Sequence, residues 1–294
     1  MVSSILVLSK FLYLASATLT IGYLLLLLFF VRNTAGEIKE EYLYLRKRIS
    51  QYALVWSIST ILFILATLAS ILDLPLSSAF DLTMLRSFLT QISLGKSLAL
   101  QTIGALVVAL WSSRVKKVSY GALLLALSIF SISIPVFQSH SASGGSHLIA
   151  IGTLLIHVIA ITLWVGGLSA IVINRRINLQ SVITRYSQLA LWAALSVVAS
   201  GAINAWIRLH LSDAWRSTYG LLVIEKIILT LGILAIAGYA RRNLATDLSK
   251  LLRFEVAAMA VTLFLGTVLS KTLPPPTDSK VDKYESLVGL DRKS

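Results

Sequence analysis

Apolar residues run through this chain in long blocks, and polar residues gather between them. A helix needs ~20 apolar residues to cross a bilayer. The block from Phe11 to Val31 alone is 21 residues long. The pattern predicts eight helical spans at about 9–31, 52–72, 94–112, 119–137, 148–173, 187–209, 220–240 and 253–271. The expected fold class is therefore all-α, a polytopic membrane helical bundle. The first block exceeds a signal-peptide core and ends in Phe29-Phe30-Val31-Arg32 with no small-residue cleavage site, so it reads as a retained span. The third span is the weakest, because it begins with Lys96; its failure would reverse the orientation of everything after it.

The loops set the expected orientation. Arg32, Lys39, Arg46, Lys47 and Arg48 follow span one, and Arg114, Lys116 and Lys117 follow span three. Arg175, Arg176 and Arg185 follow span five, and Arg241, Arg242, Lys250 and Arg253 follow span seven. The even loops carry only Arg86, Arg208 and Arg216. Cytoplasmic loops hold the excess of Lys and Arg, so the N-terminus is expected outside and the protein is expected as a multi-pass chain of the cell (inner) membrane. After Leu273 the chain turns polar behind Pro274-Pro275-Pro276, which reads as a disordered tail over 273–294.

The two halves echo one another. A shift of 144 residues aligns Tyr13 with His157, Thr18-Leu19 with Thr162-Leu163, Gly22 with Gly166 and Arg32 with Arg176. Thr90-x4-Gly95-x5-Gln101 similarly echoes Thr218-Tyr219-Gly220-x5-Lys226. Two four-span units, 1–139 and 140–272, would share one orientation because four is even. That is a parallel repeat of the kind some transporters use.

Composition narrows the function. Hydrophobic residues make up 56% of the chain and charged residues 13%, with a mean hydropathy of +0.83. These values exclude an ordinary soluble enzyme and a disordered chain. The net charge of +13 follows from topology, so nucleic acid is not expected as a partner. Cysteine is absent, which removes disulfides, thiolate metal sites and Cys nucleophiles. Soft-metal chemistry would have to use four His and three Met. The sequence has no Gly-x-Ser-x-Gly elbow, His-Glu-x-x-His or P-loop, and no enzymatic activity is expected.

The predicted topology puts all four histidines toward the outer side. His140 and His147 lie in an uncharged Ser/Gly loop, where Gly144-Gly145 would let both rings reach one ion; neutral imidazole suits copper and zinc. The competing reading is two solvated histidines. His210 ends span six. His157 lies ten residues beyond His147, ~15 Å deeper along a helix. Ionisable groups inside a span are functional candidates by default, although a neutral His bonded to a neighbouring helix would also fit. His157, Ile161, Trp164 and Leu168 share a face, and Gly166-Gly167 permits close helix approach. Glu225 and Lys226 sit in the outer half of span seven, ~100° apart around the helix, so each needs its own partner; Glu225 is a candidate partner for His157. Asn204 adds a polar group on span six, and Met84 is the one thioether placed near the outer face. A polar cluster that merely glues helices together is the alternative for these residues.

The ordered set of motifs resembles a known family. His157-x-x-Ala160-x3-Trp164-x-Gly166-Gly167-Leu168 is similar to a signature of the CopD copper-resistance membrane domain. Arg185-Tyr186-Ser187-x-Leu189-Ala190, Ser200-Gly201-x-x-Asn204, Thr218-Tyr219-Gly220-x5-Lys226 and Arg241-Arg242 resemble its later elements, and His140 resembles a histidine ahead of the domain, with Ser139 in place of Gly. The likeness spans about 140–245. It implies an inner-membrane protein that handles a copper ion and moves it across the bilayer, from His140 and His147 inward to His157. Glu225 is not part of the family pattern, and the scarcity of Met argues against a methionine ladder. Two other readings stay open. One is a b-type haem cytochrome with His157 as an axial ligand. The other is a non-transporting partner that passes copper to an extracytoplasmic copper-binding protein.

Overall fold

The computed structural model describes residues 2–31, 36–138, 147–174, 176–209, 217–242 and 248–272. Nine α-helices are described among them: α1 (Val2–Leu25), α2 (Leu43–Leu72), α3 (Leu82–Gln91), α4 (Ser93–Ser112), α5 (Val118–Ser133), α6 (His147–Ile173), α7 (Leu179–Arg208), α8 (Thr218–Arg242) and α9 (Leu248–Leu269). A π-helical turn, Leu26–Phe30, extends α1, and a 3-10 turn, Ile134–Gln138, extends α5. No sheet occurs among the described residues; one isolated bridge joins Glu37 to Lys117. Eight helices are long and apolar enough to cross a membrane, and the chain is a multi-pass membrane protein.

All eight expected spans have a counterpart, including the one that begins near Lys96. The boundaries differ where helices continue past the apolar block. α1 starts at Val2, α2 at Leu43 and α7 at Leu179. Hydrogen bonding along a helix does not stop where hydropathy falls. α3 lies in the connection between the second and third spans and has no counterpart in the apolar pattern. Asp81 caps it, its carboxylate accepting from the backbone N–H groups of Thr83 and Met84 at 2.8 and 3.0 Å. The chain turns at Ile92 and restarts as α4, and Gly95 lets the carbonyl of Phe88 lie against the new helix.

The bundle has an apolar exterior, the reverse of a soluble protein. Trp206 is 81% exposed and Leu148 83%, and Trp192, Leu123 and Phe130 also point outward. Lipid is the solvent that suits such a surface. Small polar residues sit inside instead. Thr20, Thr60 and Ser128 are fully buried and donate back to the carbonyls of Ser16, Trp56 and Leu124 at 2.7–2.8 Å. Each hydroxyl is thus satisfied within its own helix, which lets it occupy an apolar interior.

α1 and α6 are the central pair. α1 packs on α2, α5, α6 and α9, and α6 packs on α7 and α9. They cross where Gly22 meets Gly166. A Cβ on Gly22 would fall on the Gly166 backbone, and one on Gly166 would fall on the Thr18 carbonyl. α2 packs closely along α4, and Ser57 Oγ donates across to the Thr102 carbonyl at 3.1 Å. α7 and α8 do not pack in this way. α8 leans chiefly on α9, and a cleft opens between α7 and α8. Two contacts tie the chain together at the end away from the N-terminus, one within the first half and one between the halves. Arg46 Nη1 donates to the Val115 carbonyl at 2.7 Å, and Tyr44 pairs with Asn174 across the halves at 2.8–3.0 Å.

Candidate ion-binding site

α6 and α7 bring His157 and Ser200 together. His157 Nδ1 meets Ser200 Oγ at 3.0 Å. The ring rests against Gly201, where an added Cβ would touch Cε1 at 3.5 Å. One helical turn away, Asn204 Nδ2 donates to the Ser200 carbonyl at 2.9 Å, and Thr153 Oγ1 donates to Asn204 Oδ1 at 3.3 Å. His157 is half-buried. The polar line Thr153–Asn204–Ser200–His157 therefore runs along the α6/α7 seam within the membrane-spanning part. Ser200 and Asn204 share a face of α7 through their spacing of four.

Lys226 approaches the same group from α8. Its ammonium lies 3.5 Å from the point a Cβ on Gly266 of α9 would occupy, and its charge acts on the His157 ring. Glu225 takes a different direction and is exposed. The expectation that Glu225 partners His157 gives way to Lys226 as the charged neighbour, because the ~100° step between adjacent helical residues lets only one of them face the seam.

Trp164 belongs to another level of the bundle. It lies seven residues from His157, about 10 Å along the helix. Its backbone carbonyl accepts a short hydrogen bond from the Tyr186 hydroxyl. The Tyr186 ring packs onto Gly167, where a Cβ would collide with it. The Gly-Gly pair thus has two separate duties, Gly166 admitting α1 and Gly167 admitting Tyr186. Trp164, Tyr186 and Gly238 line a cavity of about 390 Å³ among α6, α7, α8 and α9.

Met84 is on α3, which packs on α4 in the first half of the bundle, and is 40% exposed. His140, His210 and the side chain of His147 lie outside the described residues, as does the tail after Thr272. Among the described residues, no three His, Cys, Asp or Glu side chains converge as a metal cluster.

Two residues went unread in the sequence. Glu255 on α9 is buried and lines the cavity; it falls within the eighth expected span, but the apolar pattern there does not single it out. Lys10 on α1 donates to Ser270 Oγ at 2.7 Å and sits 5.9 Å from the centre of the Phe63 ring. An isolated lysine ahead of an apolar block gave no hint of a partner 260 residues away.

The comparisons bear on both halves. The family model described as copper resistance protein D-like, N-terminal domain, matches residues 1–148, and the model described as copper resistance protein D matches residues 180–270. Neither the curated proteins nor the solved structures yield a match.

Proposed function

The chain belongs to the copper resistance protein D family and has a membrane role in copper resistance and homeostasis, and from that premise we propose that it carries copper ions across the membrane through the second half of the bundle. The observation that supports this most is the Nδ1 contact of His157 with Ser200 inside the membrane. A second group that fixes one imidazole nitrogen orients the ring and leaves Nε2 as the ligand nitrogen. Asn204 and Thr153 hold Ser200 and its helix in register with α6.

In this reading the positive-inside loops place the N-terminus outside, and copper enters through the loop of His140 and His147 before it reaches His157. His157, with at most a few neighbours, would form a transit station, and a weak site suits an ion that must leave again. The α1/α6 crossing at Gly22 and Gly166 supports two parallel four-span units, 1–139 and 140–272, since residues matched by the 144-residue shift meet at the point where an axis between halves would pass.

The test is an anaerobic Cu(I) titration against a coloured chelator, followed by copper uptake into proteoliposomes. Wild type should bind Cu(I) and support flux, and His157→Ala should weaken both. Binding without flux would favour a delivery partner for an extracytoplasmic copper protein. Equal copper binding and flux in the two proteins would remove His157 from the route. A Soret band in protein from haem-replete cells, with no copper binding, would replace copper with haem.

A further inference from the structure

Two lysines come together where α1 and α9 meet, at the end of the bundle nearest the N-terminus. Lys10 Nζ donates to Ser270 Oγ at 2.7 Å, and Lys271 is the next residue in the chain. The turn that closes α9 holds this segment in place. The Lys271 N–H donates to the Val268 carbonyl at 2.9 Å, and Ser270 Oγ donates to the Thr267 carbonyl at 2.6 Å. Phe11 and Phe264 join the same two helices edge to face, with ring centres 5.4 Å apart. Lys10 is half-buried and Lys271 is exposed. Among the described residues, neither has a carboxylate within ion-pair distance. Like charges repel, and a chain that gathers two of them at one point stabilises the arrangement by binding an anion.

The surface beside the pair is apolar. On α9, Val261, Phe264, Val268 and Lys271 recur at spacings of three and four and so share one face. Val261 is 50% exposed and Phe264 40%. The stripe ends at Lys271, just past Leu269, the last residue of the span. That is the level at which lipid headgroups begin. We propose that Lys10 and Lys271 hold the phosphate of an anionic phospholipid whose acyl chain lies along the Val261–Phe264–Val268 stripe of α9. Charge selects the headgroup, since a choline or ethanolamine would bring a third cation to the pair. The apolar stripe selects a lipid over a free anion. Ser270 takes one N–H of the Lys10 ammonium and leaves the other two for phosphate oxygens. A bound lipid would clamp α9 to α1, and α9 is the helix on which α8 chiefly leans. The site does not depend on the copper reading.

The test is photolabelling of the full-length protein in phosphatidylcholine vesicles. One sample carries a trace of phosphatidylglycerol with a photoactivatable chain, and a parallel sample carries phosphatidylcholine with the same chain. Labelled peptides are mapped after illumination. In wild type the glycerol lipid should label the Val261–Val268 stretch about thirty-fold more than the choline lipid, from roughly five-fold for each basic residue near a charged headgroup. Lys10→Gln and Lys271→Gln should each remove roughly five-fold of that preference. Lys10→Arg with Lys271→Arg should keep it. Labelling around Lys116 and Lys117, at the other end of the bundle, should be unchanged in every variant. Equal labelling of the stretch by the two lipids in wild type overturns the proposal, and that result needs no variant to fold. Displacement of the lipid by inorganic phosphate at constant ionic strength also overturns it and assigns the lysines to a free anion. Carbodiimide coupling of Lys10 or Lys271 to Asp278 or Asp282 overturns it as well and gives the site to the chain's own tail.

Discussion

The crossing of α1 and α6 can be tested by adding a single methyl group. At Gly22 the added Cβ of alanine meets the carbonyl of Gly166, and at Gly166 it meets the carbonyl of Thr18. Both obstacles are backbone, so no side-chain rotation relieves them and the helices must separate. Overpacking in a close-packed interior costs about 1–3 kcal/mol. Separation by ~1 Å also forfeits a quarter to a half of each dispersion contact along the seam. Gly22→Ala should therefore destabilise the bundle by about 2–3 kcal/mol, near the top of that range. Gly152, Gly232 and Gly238 are the controls, because a Cβ at any of them meets nothing within 4 Å. There, alanine should be neutral or stabilising by up to ~1 kcal/mol through helix propensity. The assay is unfolding in mixed micelles, followed by helical circular dichroism. Gly22→Ala with Gly166→Ala should cost less than the sum of the single changes, because one helix displacement relieves both collisions. A Gly22→Ala protein as stable as Gly232→Ala would refute the reasoning and the crossing with it.

Two further predictions concern the first half. Gln101 is fully buried, its Nε2 reaches Thr60 at only 3.4 Å, and its Oε1 has no partner among the described residues. Gln101→Met, of similar volume, should be neutral or slightly stabilising in the same unfolding assay, since removal of an unsatisfied amide offsets the loss of one long hydrogen bond. A loss above ~2 kcal/mol would mean that the amide is fully satisfied. Asp81→Ala removes the cap of α3 and should cost about 1 kcal/mol locally. Hydrogen exchange should quicken at Thr83 and Met84, whose N–H groups the carboxylate accepts, and unchanged exchange there would sink the assignment.

Spans, order and loop charge were legible because bilayer thickness imposes a length on every apolar block, and the weak third span survived its lysine. The interior was less legible. Hydropathy cannot tell which face of an apolar helix meets lipid, so the burial of Glu255 and the pairing of Lys10 with Ser270 had no signal in the pattern. α3 was missed for another reason: a short amphipathic helix outside the membrane carries no long apolar run. The Gly166-Gly167 pair was read correctly as a point of close approach, yet its division between α1 and Tyr186 needs the third dimension. Glu225 and Lys226 show the limit most clearly. Both were marked as polar groups in a span, and only the rotation of α8 about its axis decides which of them faces His157.

The packing of the two halves differs in a way that bears on where an ion can pass. In the first half α2 lies along α4, and hydroxyl-to-carbonyl bonds such as Ser57 to Thr102 close the seam. A seam satisfied in this way has little reason to open. In the second half α7 and α8 stand apart, and the 390 Å³ cavity occupies the space between them and α9. The groups with chemistry, His157, Ser200, Asn204, Lys226 and Glu255, belong to the helices around that looser region. α8 leans chiefly on α9, so it can tilt at the smallest loss of buried contact, and Lys226 would move with it. Motion follows local contact density. On the transport reading proposed above, the closed half would act as a frame, joined to the other through α1 and α6, and the open half would be the part that rearranges as an ion passes His157.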